Sequence, residues 1–171
     1  SATLIVSPSK ACSRARANIE YRDANQRCKR QGDRFVCRDA EGNLDNERYV
    51  ASSPATITEY TMVRCIRARP EENALLSISY SRVPVGDAIV GYYGIERAGR
   101  LMRKKRPVSF RVRVNGTELY DEATEKDNTM HWFEIPLDKV KTPRADITFS
   151  VSAENVSKRY FCFNAQMVDL K

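Results

Sequence analysis

No stretch of this 171-residue chain is apolar over anything near the roughly 20 residues that cross a bilayer as a helix. Ala2-Thr3-Leu4-Ile5-Val6 is too short for the apolar part of a signal peptide and lacks its basic flank. The chain begins with Ser, which reads as a mature form or an excised fragment, with any targeting or membrane segment expected outside it. Histidine occurs once, at His131, so any Ser-His-Asp or Cys-His arrangement would have to pass through that residue. No nucleophile-elbow motif flanks it, and a satisfied histidine at the rim of a strand is the expectation. Asp121, Glu122, Glu125 and Asp127 cluster as paired glycosidase carboxylates would, but in a turn-like stretch where charges ordinarily only solvate the chain. No catalytic residue is assigned. Cysteine is present without any C-x-x-C pair, so no metal site is expected, and no cofactor. Amphipathic helices, internal repeats and low-complexity tracts are also missing.

What the chain does contain is alternation. In Val108-Ser109-Phe110-Arg111-Val112-Arg113-Val114 every second side chain is apolar. A strand sends successive side chains to opposite faces, so one face packs and the other meets water. Ile147 to Ser152 and Phe161 to Met167 repeat the pattern, as do Leu76, Ile78 and Tyr80 against Ser77, Ser79 and Ser81. Ala88 to Ile95 is apolar and β-branched, and its glycines point to a bulge or a close backbone approach. Asn115-Gly116 is a hairpin turn, since both residues tolerate positive φ. Met130 to Leu137 forms another strand, in which Phe133, Ile135 and Leu137 face inward while Trp132 and Glu134 take the opposite face. The fold class is therefore all-β, an antiparallel β-sandwich or barrel. A sandwich of 171 residues is expected to be one domain, with residues 1–59 as a loosely packed N-terminal layer and 60–171 as the sandwich proper. Within that layer a short strand is expected near Asn18 to Arg22, a turn at Asp39 to Asn43, and only small-residue stretches from Asn46 to Tyr60.

Five cysteines invite disulfide arithmetic. Cys28 and Cys37 flank a hairpin turning at Gln31-Gly32-Asp33, across which a bridge is geometrically easy. Cys65 lies by the first clear sandwich strand and Cys162 in the last. First and last strands are often neighbours, so these two can pair as well. Cys12 is left over. Disulfides imply an oxidising, extracytoplasmic compartment; buried free thiols would not.

The formal charge of +7 favours anionic partners, although solubility alone also accounts for it. Arg97, Arg100, Arg103, Lys104, Lys105 and Arg106 make the most basic segment, read as a long loop that either is merely solvated or faces an anionic membrane surface. It carries no aromatics for stacking on bases, so nucleic acid is not the expected partner. Asn115-Gly116-Thr117 and Asn155-Val156-Ser157 match the glycosylation acceptor pattern.

The order of elements carries a resemblance. A Val-x-Phe-x-Val-x-Val-Asn-Gly hairpin is followed by a His-Trp-Phe-x-Ile-x-Leu strand, an Ala-Asp-Ile-Thr-Phe-x-Val strand and an aromatic final strand. Over about residues 60–171 this succession resembles the galactose-binding-like jelly-roll sandwiches used as carbohydrate-binding modules, including the NPCBM type. It is also similar to soluble extracytoplasmic domains of bacterial polytopic glycosyltransferase-like membrane proteins, through the lead-in Cys65 to Pro70 and the Phe161-Cys162-Phe163 exit. The resemblance implies a non-catalytic module, binding a glycan or docking on a parent membrane protein, outside the cytoplasm as an appendage of a larger enzyme or membrane protein. The alternative is a structural, protein-interaction domain whose basic loop faces membrane or an acidic partner.

Candidate contact residues follow. Trp132, on the outward phase, either stacks on a sugar ring or packs between layers. Tyr92, Tyr93, Arg159 and Tyr160 lie near predicted strand ends, where loops of sandwiches hold ligands. Arginine beside aromatics suits hydroxyl pairs or acidic groups; core tyrosines and a surface charge are the plainer alternative.

Overall fold

The computed structural model describes residues 3–4, 15–21, 24–32, 34–58, 61–69, 74–96, 107–124, 130–153 and 160–170. Among the described residues fourteen strands are formed: β1 (Thr3–Leu4), β2 (Ala15–Tyr21), β3 (Ala24–Arg27), β4 (Lys29–Gln31), β5 (Arg34–Arg38), β6 (Leu44–Thr58) and β7 (Thr61–Ala68), followed by β8 (Ala74–Pro84), β9 (Ala88–Ile95), β10 (Val108–Val114), β11 (Thr117–Thr124), β12 (His131–Pro136), β13 (Arg144–Ala153) and β14 (Phe161–Val168). They build two sheets, both antiparallel throughout. One has eight strands in the order β12-β9-β14-β7-β6-β5-β4, with β1 also pairing β14; the other has six, in the order β11-β10-β13-β8-β2-β3.

The period-two readings hold. Along β10 and β8 buried and less buried residues alternate, and Ser77 and Ser79 of the outer face bond across to Ser150 and Thr148 at 2.9 and 3.0 Å. Phe110 and Phe149 from the six-stranded sheet meet Phe161 and Phe163 from the eight-stranded one, all fully buried. Phe110 lies 5.3 Å from Phe163, and Phe149 lies 5.0 Å from it, centroid to centroid. Truncating one such ring typically costs about 3–5 kcal/mol, so this cluster ties the two sheets together.

The N-terminal region is continuous with the sandwich. β2 is an inner strand of the six-stranded sheet, pairing β8 from Ala15↔Tyr80 to Tyr21↔Ala74, and its Ala17 and Ile19 belong to the common core. After β3 the chain passes through Cys28 into β4 of the other sheet, so the Cys28–Cys37 disulfide, with Cα atoms 4.2 Å apart, sits where the chain changes layers. Cys65 and Cys162 are also bonded, Cα atoms 5.6 Å apart, across the neighbouring strands β7 and β14. Cys12 lies outside the described residues, as does the basic segment Arg97, Arg100, Arg103, Lys104, Lys105 and Arg106.

One stretch differs from expectation. Residues 44–58, read as small-residue segments, form the 15-residue β6. Its first half pairs β5 as far as Ala51, and from Ser52 onward β7 is its ladder partner among the described residues. Pro54 therefore sits on a strand with one open side, where a missing N–H is tolerated. Asn115 and Gly116 both have positive φ, 50° and 80°, as their hairpin requires. Gly91 pairs with Ala165 of β14, and a Cβ there would collide with the Asn164 carbonyl: the glycine permits the close approach of two central strands.

Candidate functional site

β12 lies at the edge of the eight-stranded sheet beside β9, and β9 lies beside β14. Register then fixes two outward rows. Trp132 stands opposite Tyr92, and Tyr92 opposite Asn164; Glu134 stands opposite Val90, and Val90 opposite Gln166. These six side chains, with Gly91 and Phe133 beneath, line a shallow groove on the outer face of the sheet. Trp132 is 74% exposed, the most exposed of the large apolar side chains among the described residues. Its indole meets the Tyr92 ring edge-on at 5.3 Å. Burial raises the Tyr92 pKa, and a hydrogen bond with the Asn164 side chain partly offsets the rise. Asn164 is nearly buried, and Gln166 and Val90 are half-buried.

The floor of this face is covalently braced. Tyr92 and Met130 pack against the Cys65–Cys162 disulfide, which staples β7 to β14. The groove thus combines a flat aromatic wall, an apolar floor, one carboxylate and two amides. Such a set can cover the apolar face of a ring and bond to the groups at its edge. Among the described residues Glu134 is the carboxylate that lines it.

The remaining expected contacts fall elsewhere. Tyr93 is turned into the core, 3% exposed, packed on Phe110, Phe133 and Phe161, with its hydroxyl 3.0 Å from that of Tyr120. It is a core residue and no contact, because period two puts it on the face opposite Tyr92. Desolvation, with the Tyr120 contact second, raises its pKa far above the ordinary value. Tyr160 lies immediately before β14, two strands over from β12, in a separate cluster. There the Arg67 guanidinium lies 4.0 Å from the Tyr160 ring centroid, donates to the Tyr49 hydroxyl at 2.8 Å, and pairs with the buried Glu96 at 2.7 Å. Arg67 spends its charge on Glu96, so this cluster reads as a clamp between β7 and the end of β9. Arg159 lies outside the described residues. His131 stacks on Tyr93 at 5.1 Å, a rim histidine as expected, and Asp121 pairs with Arg111 at 3.2 Å. Glu125 and Asp127 lie outside the described residues.

Glu134, Asn164 and Gln166 were not singled out as contacts from the sequence. The alternation of Phe161 to Met167 does place Asn164 and Gln166 outward; their nearness to Trp132 depends on β9 lying between β12 and β14.

No protein-family model matches this sequence, and no curated protein matches it. Solved structures do match the fold. The two-sheet antiparallel sandwich is similar in fold to a solved structure that contains a carbohydrate-binding module. The particular likenesses are to the second CBM51 module and INT domains of Clostridium perfringens ZmpB, solved with GlcNAc, at 16% identity and a TM-score of 0.50. That match covers 82% of this chain and 28% of the other, so this chain spans little more than a quarter of that protein's length. The CBM51 of Clostridium perfringens GH95, solved with methyl-galactose, matches at 14% identity and a TM-score of 0.47, over 87% of this chain and 94% of that one. TmCBM61, solved with a β-1,4-galactotriose, matches at 20% identity and 0.47, over 72% and 82%.

Proposed function

We propose that this chain is a non-catalytic carbohydrate-binding module whose contact surface is the groove at Trp132 and Tyr92. The observation that carries the proposal is Trp132 itself: a large indole left open to solvent beside a second aromatic and three polar side chains. Soluble proteins do not usually leave their largest apolar side chain standing free beside such a groove without a partner for it. A pyranose laid on the indole covers apolar surface, while Glu134 accepts from its hydroxyls and the Asn164 and Gln166 amides bond in either sense. The shared fold with modules solved with galactose and GlcNAc supports the class of ligand, and the site supports the place.

The module works outside the cytoplasm, as an appendage of a larger enzyme or membrane protein. Two formed disulfides support the oxidising compartment. Among the described residues no helix is long and apolar enough to cross a membrane, so a tether would come from elsewhere.

Trp132 is the sole tryptophan, which makes its fluorescence a reporter of the groove. Titration with methyl-galactose, GlcNAc and a panel of oligosaccharides is expected to shift the emission for at least one ligand. Trp132→Ala is expected to abolish binding of that ligand by calorimetry while leaving the thermal transition nearly in place. Undiminished binding by Trp132→Ala, or its unfolding, refutes the assignment.

A further inference from the structure

A second feature of the surface is independent of the groove. Where the chain passes from the six-stranded sheet to the eight-stranded one, Arg16, Arg27, Lys29 and Arg30 converge on a crevice floored by Cys28 and Phe35. All four cations are exposed, whereas Cys28 and Phe35 are buried. The β2–β3 ladder sets Asn18 opposite Arg27, and the Cys28 amide donates to the Ala17 carbonyl at 2.8 Å. Beyond that bond the chain leaves the six-stranded sheet, and Lys29 and Arg30 of β4 line the same crevice as Arg16 and Arg27. Three cations elsewhere are matched by carboxylates: Arg67 by Glu96, Arg111 by Asp121, and Arg113 by Glu118. Among the described residues none of the four crevice cations has a carboxylate within ion-pair distance.

We infer that this crevice is an anion-binding site for the sulfate or carboxylate groups of an acidic polysaccharide. An anion seated there meets four cations that line one crevice, three of them guanidinium forks suited to two-point bonding. The cations come from both sheets, and the Cys28–Cys37 disulfide holds the arms of the adjoining hairpin together, so their backbones are fixed before a ligand arrives. Two other polyanions fit less well. Nucleic acid calls for aromatics on which bases can stack, and the one ring here, Phe35, is buried in the floor. A bilayer-docking surface gains from apolar side chains that insert, and among the described residues the crevice presents no exposed one. A flexible polymer bearing anionic groups and no apolar bulk fits what remains.

The test uses the whole chain with a heparin octasaccharide, its desulfated form that retains the uronate carboxylates, and vesicles containing one-fifth phosphatidylserine. Binding of the octasaccharide is expected at low salt and is expected to fall steeply as salt rises. The Arg27→Gln/Lys29→Gln variant is expected to bind it about tenfold more weakly, with an unchanged thermal transition because both residues are exposed. Lys139→Gln/Lys141→Gln, a charge-matched change elsewhere, is expected to bind normally, and so is Trp132→Ala, which separates this site from the groove. Desulfated octasaccharide that still binds assigns the carboxylate; loss on desulfation assigns the sulfate. No binding at low salt, equal loss in both double variants, or binding to vesicles alone overturns the inference.

Discussion

Replacing Gly91 by alanine sets two effects of opposite sign against each other. Removing a glycine restricts the unfolded chain and, where the native backbone accepts a side chain, stabilises by about 0.4–1 kcal/mol. At Gly91 the backbone does not accept one. The added carbon would collide with the Asn164 carbonyl oxygen and sit 2.9 Å from its carbon and 3.0 Å from the Ala165 Cα, all main-chain atoms of a paired strand. None of them can swing aside as a flexible side chain would, so β9 and β14 must separate. Overpacking of this kind costs about 1–3 kcal/mol and sometimes more, and the loss exceeds the entropic gain. A net loss of about 2 kcal/mol in a protein of this size lowers the midpoint of thermal unfolding by about 4–8 °C. Calorimetry and urea titration of Gly91→Ala beside the parent chain measure it. The same strands carry Tyr92 and Asn164, so the intrinsic fluorescence of Trp132 is expected to shift too. A variant as stable as the parent, or more so, refutes the reasoning, because it would mean that the two strands have room between them.

Removing the Cys65–Cys162 bond as the double serine variant is expected to destabilise more than removing Cys28–Cys37. Their sequence separations are 97 and 9, which correspond in the chain-entropy model to about 4.7 and about 2.6 kcal/mol; urea midpoints that rank the other way contradict this. The first variant is also expected to alter Trp132 emission, since Tyr92 loses its floor, and the second is not. Stability is expected to fall as pH rises above 10. The folded state holds the Tyr93 proton more tightly than the unfolded state, whose tyrosine ionises near 10, so the unfolded state binds fewer protons there and gains with pH. Tyr93→Phe, followed by urea melts across that range, is expected to make the decline shallower; an unchanged slope argues that Tyr93 is not the group responsible.

The sequence was most legible where one face of a strand is wet. β8, β10, β12 and β13 alternate clearly, and that alternation alone put Trp132 outside and Phe110 inside. The cysteine pairs were legible because a hairpin turn marks one of them and strand order suggests the other. β9 was harder. Its run Ala88 to Ile95 is apolar on both phases, as befits a central strand covered on one side by the core and on the other by Trp132 and the disulfide region. Phase is then unreadable, and Tyr93 was assigned alongside Tyr92 although neighbours in a strand point apart. β6 escaped notice because serines, alanines and a proline carry little strand signal, and its pairing with β7 supplies what composition does not. The groove and the cationic crevice share a different obstacle. Each gathers residues from strands whose adjacency follows from topology, and no local pattern announces which strands will lie side by side.

The pairing of β1 with β14, Thr3 opposite Met167 and Leu4 opposite Gln166, has an architectural consequence. Among the described residues β7 pairs β14 only from Phe161 to Phe163, and β1 takes up Gln166 and Met167 farther along, about 4.8 Å away. A two-residue piece of chain thus shields the far end of a central strand from pairing with another molecule.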